Sequence, residues 1–245
     1  MNAVKVPVFI ISFNRLTCLQ RLIAWLETAE LAEPIIIDNG STYEPLLEWF
    51  DGLRGAIEIR RCEDNYGPYR VWEQRLFEPF TNPGQPFYVV TDPDILPTAD
   101  CPRDAIAQLV DVSRGTRCPK VGLSLRLDGI PRSLPGHEAV RDWEEQMQPP
   151  DMVRAVEDSA GRSIACYPSR LDTTFQVNHR DRVPPSGGSP GIRLAHPYEA
   201  DHLGWQIDPQ DLSAEDQFYW QTASASASTI ENLKGAGFAA KKDPE

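Results

Sequence analysis

VPVFIISFNRLTCLQRLIAWLETAELAEPIIIDNG, residues 6–40, decides the fold class. VPVFIIS (6–12) is a continuous apolar run of the kind that forms a strand buried on both faces. LTCLQRLIAWLETA (16–29) then places apolar residues at helical spacing, and EPIIIDNG (33–40) is a second buried run closed by a turn signal. Strand, helix and strand joined by short links imply a parallel sheet covered on both faces.

The same rhythm continues outward from this unit. YEPLLEWFDGL (43–53) reads as a short helix, AIEIRRC (56–62) as a third strand, and PYRVWEQRLFEPF (68–80) as a helix with Pro68 in its first turn. PFYVVTD (86–92) is a fourth strand, PTADCPRDAIAQLVDVSRG (97–115) a helix and KVGLSLRL (120–127) a fifth strand. Near residue 130 the rhythm changes. GHEAVRDWEEQMQ (136–148) reads as a polar helix, MVRAVEDSAGRSIACYPS (152–169) as a hairpin around Ser159 to Gly161, and DTTFQVNH (172–179) as a strand. VPPSGGSPG (183–191) is a loop by composition, either a plain surface connection or a functional lid, and the tail AAKKDPE is expected to fray.

With 245 residues, 41% hydrophobic and 24% charged, the chain suits a packed domain rather than a disordered one. A net charge of -12 argues against a broad nucleic-acid surface, which needs clustered positive charge. No apolar stretch approaches the roughly 18 residues of a membrane span, and the N-terminus lacks a secretory pattern. A cytoplasmic protein with no transmembrane segment is therefore expected. Cys18, Cys62, Cys101, Cys118 and Cys166 are scattered without a C-x-x-C pair, which suits reduced thiols.

In a doubly wound sheet, ligands bind beyond the C-terminal strand ends. Four successive apolar runs are followed there by polar groups: SFNR (12–15), DNGST (38–42), EDNYG (63–67) and TDPD (91–94). Asp92 and Asp94 in YVVTDPDILP (88–97) raise a question of charge, because carboxylates this close favour a divalent cation, a shared proton or a solvated turn.

FIISFNR, IIIDNGST, DNYGPYRVW and YVVTDPDILP, in this order and spacing, resemble the nucleotide-sugar half of a GT-A glycosyltransferase similar to the family 2 enzymes of bacteria, with a DxD motif. The resemblance covers about residues 5–128. It implies a GT-A (Rossmann-like) α/β fold, with a mostly parallel sheet flanked by helices. Residues 1–128 would bind the nucleotide sugar, and residues 129–245, a more variable part of the same single domain, would bind the acceptor and complete the metal site.

The resemblance implies that Asp38 accepts a hydrogen bond from the base or ribose, that Ser12, Asn14 and Arg15 lie near the base, and that Asn65 and Gly67 line the nucleotide pocket. It makes Arg70 a candidate partner of the diphosphate or sugar, and adds Thr91, Asp92 and Pro93 to the nucleotide site. Asn39 stands where the family often has a second Asp, which leaves the base open. Asp94 would bind Mn2+ (or Mg2+) directly, with Asp92 reaching the metal through water or the ribose, and His202 rather than His196 would complete the shell. Each assignment has a plainer counterpart: an Asx turn at Asp38, a helix cap at Asn65, a surface ion pair for Arg70 and a structural histidine at 202.

For catalysis Asp172 is the first candidate, because an acid opening a strand after the metal motif faces the same rim; Glu199 and Asp201 follow. Trp143, Trp205 and Trp220 are candidates to stack on sugar rings, or else core residues. The expected partners are a nucleoside-diphosphate sugar, with UDP-sugars favoured, and a carbohydrate or other hydroxyl acceptor. The alternatives are a noncatalytic carbohydrate- or nucleotide-binding module and a sugar nucleotidyltransferase, although SFNRLT lacks the latter's glycine-rich loop. A dehalogenase-type phosphatase fits less well, because its D-x-D usually sits on the first strand.

Overall fold

The structure, a computed structural model, describes residues 4–134, 136–182 and 189–223. In chain order the elements are β1 (Val6–Ser12), α1 (Leu16–Thr28), β2 (Ala32–Asp38), α2 (Glu44–Gly52), β3 (Glu58–Arg61), α3 (Arg70–Glu73), β4 (Phe87–Thr91) and β5 (Ile95–Pro97). They continue with α4 (Ala105–Thr116), β6 (Lys120–Leu125), α5 (His137–Met147), β7 (Arg154–Glu157), β8 (Ser163–Leu171), β9 (Gln176–His179), β10 (Ser189–His202) and α6 (Ala214–Thr222).

All ten strands join one sheet in the order β3-β2-β1-β4-β9-β6-β10-β8-β7, with β5 added alongside β10. The first four strands pair in parallel, as the β-α-β reading requires. The short strand β9 lies antiparallel between β4 and β6, so those two also share a direction. β10 runs parallel to β6, whereas β5 and β8 run against β10. The sheet is therefore mostly parallel in direction, and residues after 129 are woven into it rather than packed beside it.

Period-two alternation assigns the strand residues to two faces. Val8, Ile10, Ile36 and Val89 join the larger core under α1 and α4, while Phe9, Ile11, Ile35, Ile37, Tyr88 and Val90 join a smaller core with Val71, Trp72 and Phe77. Burial on both faces is why these runs are apolar at every position rather than at every second one.

Three elements differ from the sequence reading. The helix expected over 68–80 is a single turn, α3, because Arg75 takes a left-handed conformation (φ 51) and the chain re-enters a 3-10 turn at Glu78–Phe80. That break lets both Trp72 and Phe77 reach the sheet. LAHPYEADH is the end of the long strand β10, and α6 was not anticipated at all. Within VPPSGGSPG, residues 183–188 lie outside the described residues, as does the tail AAKKDPE. All five cysteines are free, and no helix among the described residues is long and apolar enough to cross a membrane.

α6 is tied to the start of α1. Glu215, 7% exposed, accepts hydrogen bonds from Thr17 N–H (2.9 Å) and Thr17 Oγ1 (2.8 Å), so its carboxylate sits on the first turn of α1 where the helix dipole favours an anion. Glu215→Ala removes this cap, and we expect unfolding in urea to show a loss of about 1–2 kcal/mol. A Thr17→Val, Glu215→Ala pair should be non-additive in a double-mutant cycle; full additivity would show that the contact contributes nothing.

Candidate active site

A cavity of about 310 Å³ opens beyond the C-terminal ends of β1 and β4. That volume lies at the small end of ligand pockets. Two turns explain its polar wall. β4 ends at Thr91 and the chain turns through Asp92, Pro93 and Asp94 before pairing as β5 with β10, with Ile95 opposite His202. This ladder carries His202 to Asp94, and Leu203 N–H donates to Asp94 O at 2.8 Å. On the other side, β9 pairs antiparallel with β4, so the turn preceding β9 comes back to the doublet. Asp92 N–H donates to Thr173 O at 2.9 Å, and Thr173 Oγ1 donates to Asp92 Oδ2. Asp172 arrives with Thr173, and both line the cavity.

The lining acids are Asp92, Asp94 and Asp172, and the lining cation is Arg15. Burial, reinforced by the Asp94 charge, pushes the Asp92 carboxyl well above its ordinary range, while the Thr173 hydrogen bond works the other way. Asp172 accepts a hydrogen bond from Tyr69 Oη at 3.1 Å, and the Tyr69 phenol is pushed up to about 12 by burial and by that carboxylate.

His202 stacks flat on Trp205, with ring centroids 4.2 Å apart and planes within 8°. Burial lowers its pKa, Asp94 opposes that shift, and Arg15 adds to it, so the ring is neutral at neutral pH. Its Nδ1 is buried without a hydrogen-bond partner and stands 3.7 Å from Asp94 Oδ2. This separation is too long for a hydrogen bond but suits two ligands of one divalent ion. A Cβ at Gly204 would lie 2.6 Å from Asp94 Oδ2 and 3.0 Å from His202 Cε1, so only glycine allows the carboxylate and imidazole to lie together there. Among the described residues no group of three or more carboxylate, imidazole or thiol side chains forms a metal shell. Asp94 and His202 fit part of an octahedron, with water and ligand oxygens left to supply the rest.

The other candidates divide clearly. Asn65, Gly67 and Pro93 line the cavity, although Asn65 Oδ1 also accepts from Gly67 N–H in a local turn. Ser12, Asn14, Asp38, Arg70 and Thr91 are not part of its wall. Asn14 Oδ1 accepts from Thr42 N–H and Tyr43 N–H, which binds it to the start of α2, and its Nδ2 donates to Thr222. Asp38 is fully buried, accepts from Ser41 N–H three residues on, and is neutralised by Arg61 at 3.0 Å. Thr91 Oγ1 turns back to Asp92 O, and Arg70 stacks on Tyr66 at 3.8 Å.

Glu199 and Asp201 lie off the cavity wall. They share one parity of β10 and His202 has the other, so a strand that delivers His202 to the cavity turns them away. Glu199 pairs with the exposed His196, and Asp201 is held by Arg126 through two bonds of 2.8 and 2.6 Å. The three tryptophans hold different places. Trp205 lies under His202, Trp220 is in the core, and Trp143 is exposed on α5.

The sequence reading missed Asn39, Tyr69 and Tyr219, which all line the cavity. Asn39 Nδ2 donates to Gly67 O at 3.0 Å, which leaves its buried Oδ1 as an unpaired acceptor. Its departure from the family pattern was the available signal. Tyr219 is on α6, and no strand-end rule points to a helix from the far end of the chain.

Lys120 lies outside the lining but close to Asp172. It is fully buried, with Nζ 4.9 Å from the Trp72 ring centre and 3.5 Å from Leu171 O. Burial lowers its pKa from 10.5 to about 8, against the opposing pull of Asp172. Between those two values the unfolded chain holds the proton and the folded chain does not, so this group makes stability rise with pH and lowers it below about 8. Lys120→Met should remove that rise. Urea titrations of both proteins between pH 7 and pH 10 are expected to differ by about 2–3 kcal/mol in their pH response; parallel curves would contradict the assignment.

The site thus defines an α/β protein with an acidic, ligand-sized cavity at the strand ends and two groups disposed to share a divalent ion. A scan of protein-family models and a search of curated protein sequences return no match. Among solved structures the chain is similar to residues 1–349 of Staphylococcus aureus TarS (15% identity, TM-score 0.40, 54% of this chain and 40% of that one). It is also similar to the Pyrobaculum calidifontis mannosyltransferase PcManGT in complex with GDP-Man and Mn2+ (12% identity, TM-score 0.48, 95% of this chain and 73% of that one). A third is glucosyl-3-phosphoglycerate synthase of Mycobacterium tuberculosis with Mn2+, UDP-Glc and phosphoglyceric acid (13% identity, TM-score 0.44, 73% of this chain and 57% of that one). The chain therefore spans less than two thirds of the first of these and of the third.

Proposed function

We propose that this chain is a GT-A, family 2-like glycosyltransferase that uses Mn2+ or Mg2+. It moves a sugar from a nucleoside-diphosphate sugar, UDP-sugars first, to an acceptor hydroxyl in glycan or polysaccharide biosynthesis. The observation that carries this reading is the charge of the cavity wall. Among the described residues three carboxyl groups face one guanidinium, so an added cation favours entry of a diphosphate, and Asp94 opposite the unpartnered His202 Nδ1 is where that cation fits. When bound, the metal neutralises charge on the departing diphosphate.

The chain's own residues supply the rest. Asp94 and His202 hold the ion, and Asp92 offers the oxygen not bound to Thr173 to water or ribose. Asn39, Asn65 and Gly67 form the nucleoside wall, with residues 1–128 as the donor side. Residues 129–245 bring Asp172, which takes the proton of the acceptor hydroxyl while Tyr69 fixes its orientation. The test is release of nucleoside diphosphate from a panel containing UDP-glucose, UDP-galactose, UDP-N-acetylglucosamine and GDP-mannose. Turnover with Mn2+ that stops on chelation supports the reading; no turnover and no binding across the panel with Mn2+ rejects it.

A further inference from the structure

We propose that Arg15 binds the diphosphate of the donor directly, as a second positive group beside the metal, and makes no contact with the base. This rests on the glycosyltransferase reading and assigns the sequence's base-side arginine to the opposite end of the ligand.

Arg15 is 3% exposed yet lines the cavity. Its guanidinium lies over the Tyr219 ring at 4.6 Å, its Nη2 donates to the weak acceptor Cys18 Sγ at 3.4 Å, and the same nitrogen is 3.9 Å from Asp94 Oδ2, beyond hydrogen-bond reach. Its Nε is buried without any partner. A guanidinium has five donors, and burying them without strong acceptors is costly. Phosphate oxygens supply such acceptors in the planar, two-pronged geometry that suits arginine.

Among the described residues the other cations near the strand ends stand off the cavity. Arg61 is bound to Asp38 and Ser41 O, Arg70 stacks on Tyr66 although its Nη1 is also buried without a partner, and Lys120 lies against Leu171 O and Trp72, and none of the three lines the cavity. Arg15 sits at the Asp94 end, whereas Asn39, whose amide oxygen is unpaired, is tied through its Nδ2 to Gly67 O. The position also explains Tyr219. α6 closes over the guanidinium, is anchored by Glu215 on Thr17 and by Thr222 on Asn14, and so holds the arginine fork in place.

The test measures UDP and GDP, and separately uridine and guanosine, binding to the full chain with saturating Mn2+. Wild type is compared with Arg15→Met and Arg15→Lys. Mn2+ alone is titrated into each to establish that the Asp94 site survives. Arg15→Met is expected to weaken the diphosphates at least about tenfold and leave nucleosides and Mn2+ unchanged, with Arg15→Lys recovering part of the loss. Three results would overturn the proposal: diphosphate affinity unchanged, nucleoside affinity falling in parallel, or Mn2+ binding lost in the variant. If wild type itself binds neither diphosphate with Mn2+, the glycosyltransferase reading fails instead.

Discussion

Asp94→Asn is expected to reduce Mn2+-dependent binding of a nucleoside diphosphate by at least about 100-fold, since the loss of groups one shell further from a metal already costs about 10–100-fold. The change is nearly isosteric, so it tests charge rather than shape. Arg15 loses its carboxylate neighbour at 3.9 Å and some stability falls with it, which makes direct titration below the melting transition the proper readout. Metal and nucleotide should fail together. If nucleotide affinity fell while Mn2+ affinity held, Asp94 would be a ligand of the nucleotide and not of the ion.

Asp172→Asn produces the second large effect, a fall in transfer rate of about 10²–10⁴-fold with donor binding nearly intact. Its carboxylate lines the cavity, and its charge is felt at Asp92. The Tyr69 hydroxyl holds one oxygen, which fixes the direction of the other. Tyr69→Phe should therefore slow transfer by less, roughly tenfold, because orientation suffers while the base remains. Equal rates for wild type and Asp172→Asn under single-turnover conditions would remove Asp172 from the chemistry.

What could be read in advance follows from how local each signal is. The parallel strands β1 to β4 were legible because each is an apolar run ended by a turn, and burial on both faces writes that pattern directly into the residues. Asp92 and Asp94 were singled out because two acids after such a run need compensation, and both line the cavity. His202 was preferred to His196 from its sequence surroundings, whereas the physical cause of its position is the pairing of Ile95 with His202 across β5 and β10. That same ladder separates Glu199 and Asp201 from His202: only with β10 known as a strand are alternate residues sent to opposite faces. Asp38 and Asn14 were polar at the right strand ends but are consumed by Arg61 and by the α2 start, contacts between segments more than twenty residues apart. Tyr219 was out of reach because α6 has little amphipathic pattern and is placed by tertiary contacts such as Glu215 on Thr17.

The measurement that bears most directly on the central claim is anomalous diffraction at the manganese edge from crystals grown with Mn2+ and a nucleoside diphosphate. One peak is expected within roughly 2.0–2.3 Å of both Asp94 and His202, with diphosphate oxygens completing the shell. Nucleotide density in the cavity with no manganese at that position, or manganese bound elsewhere, would contradict it.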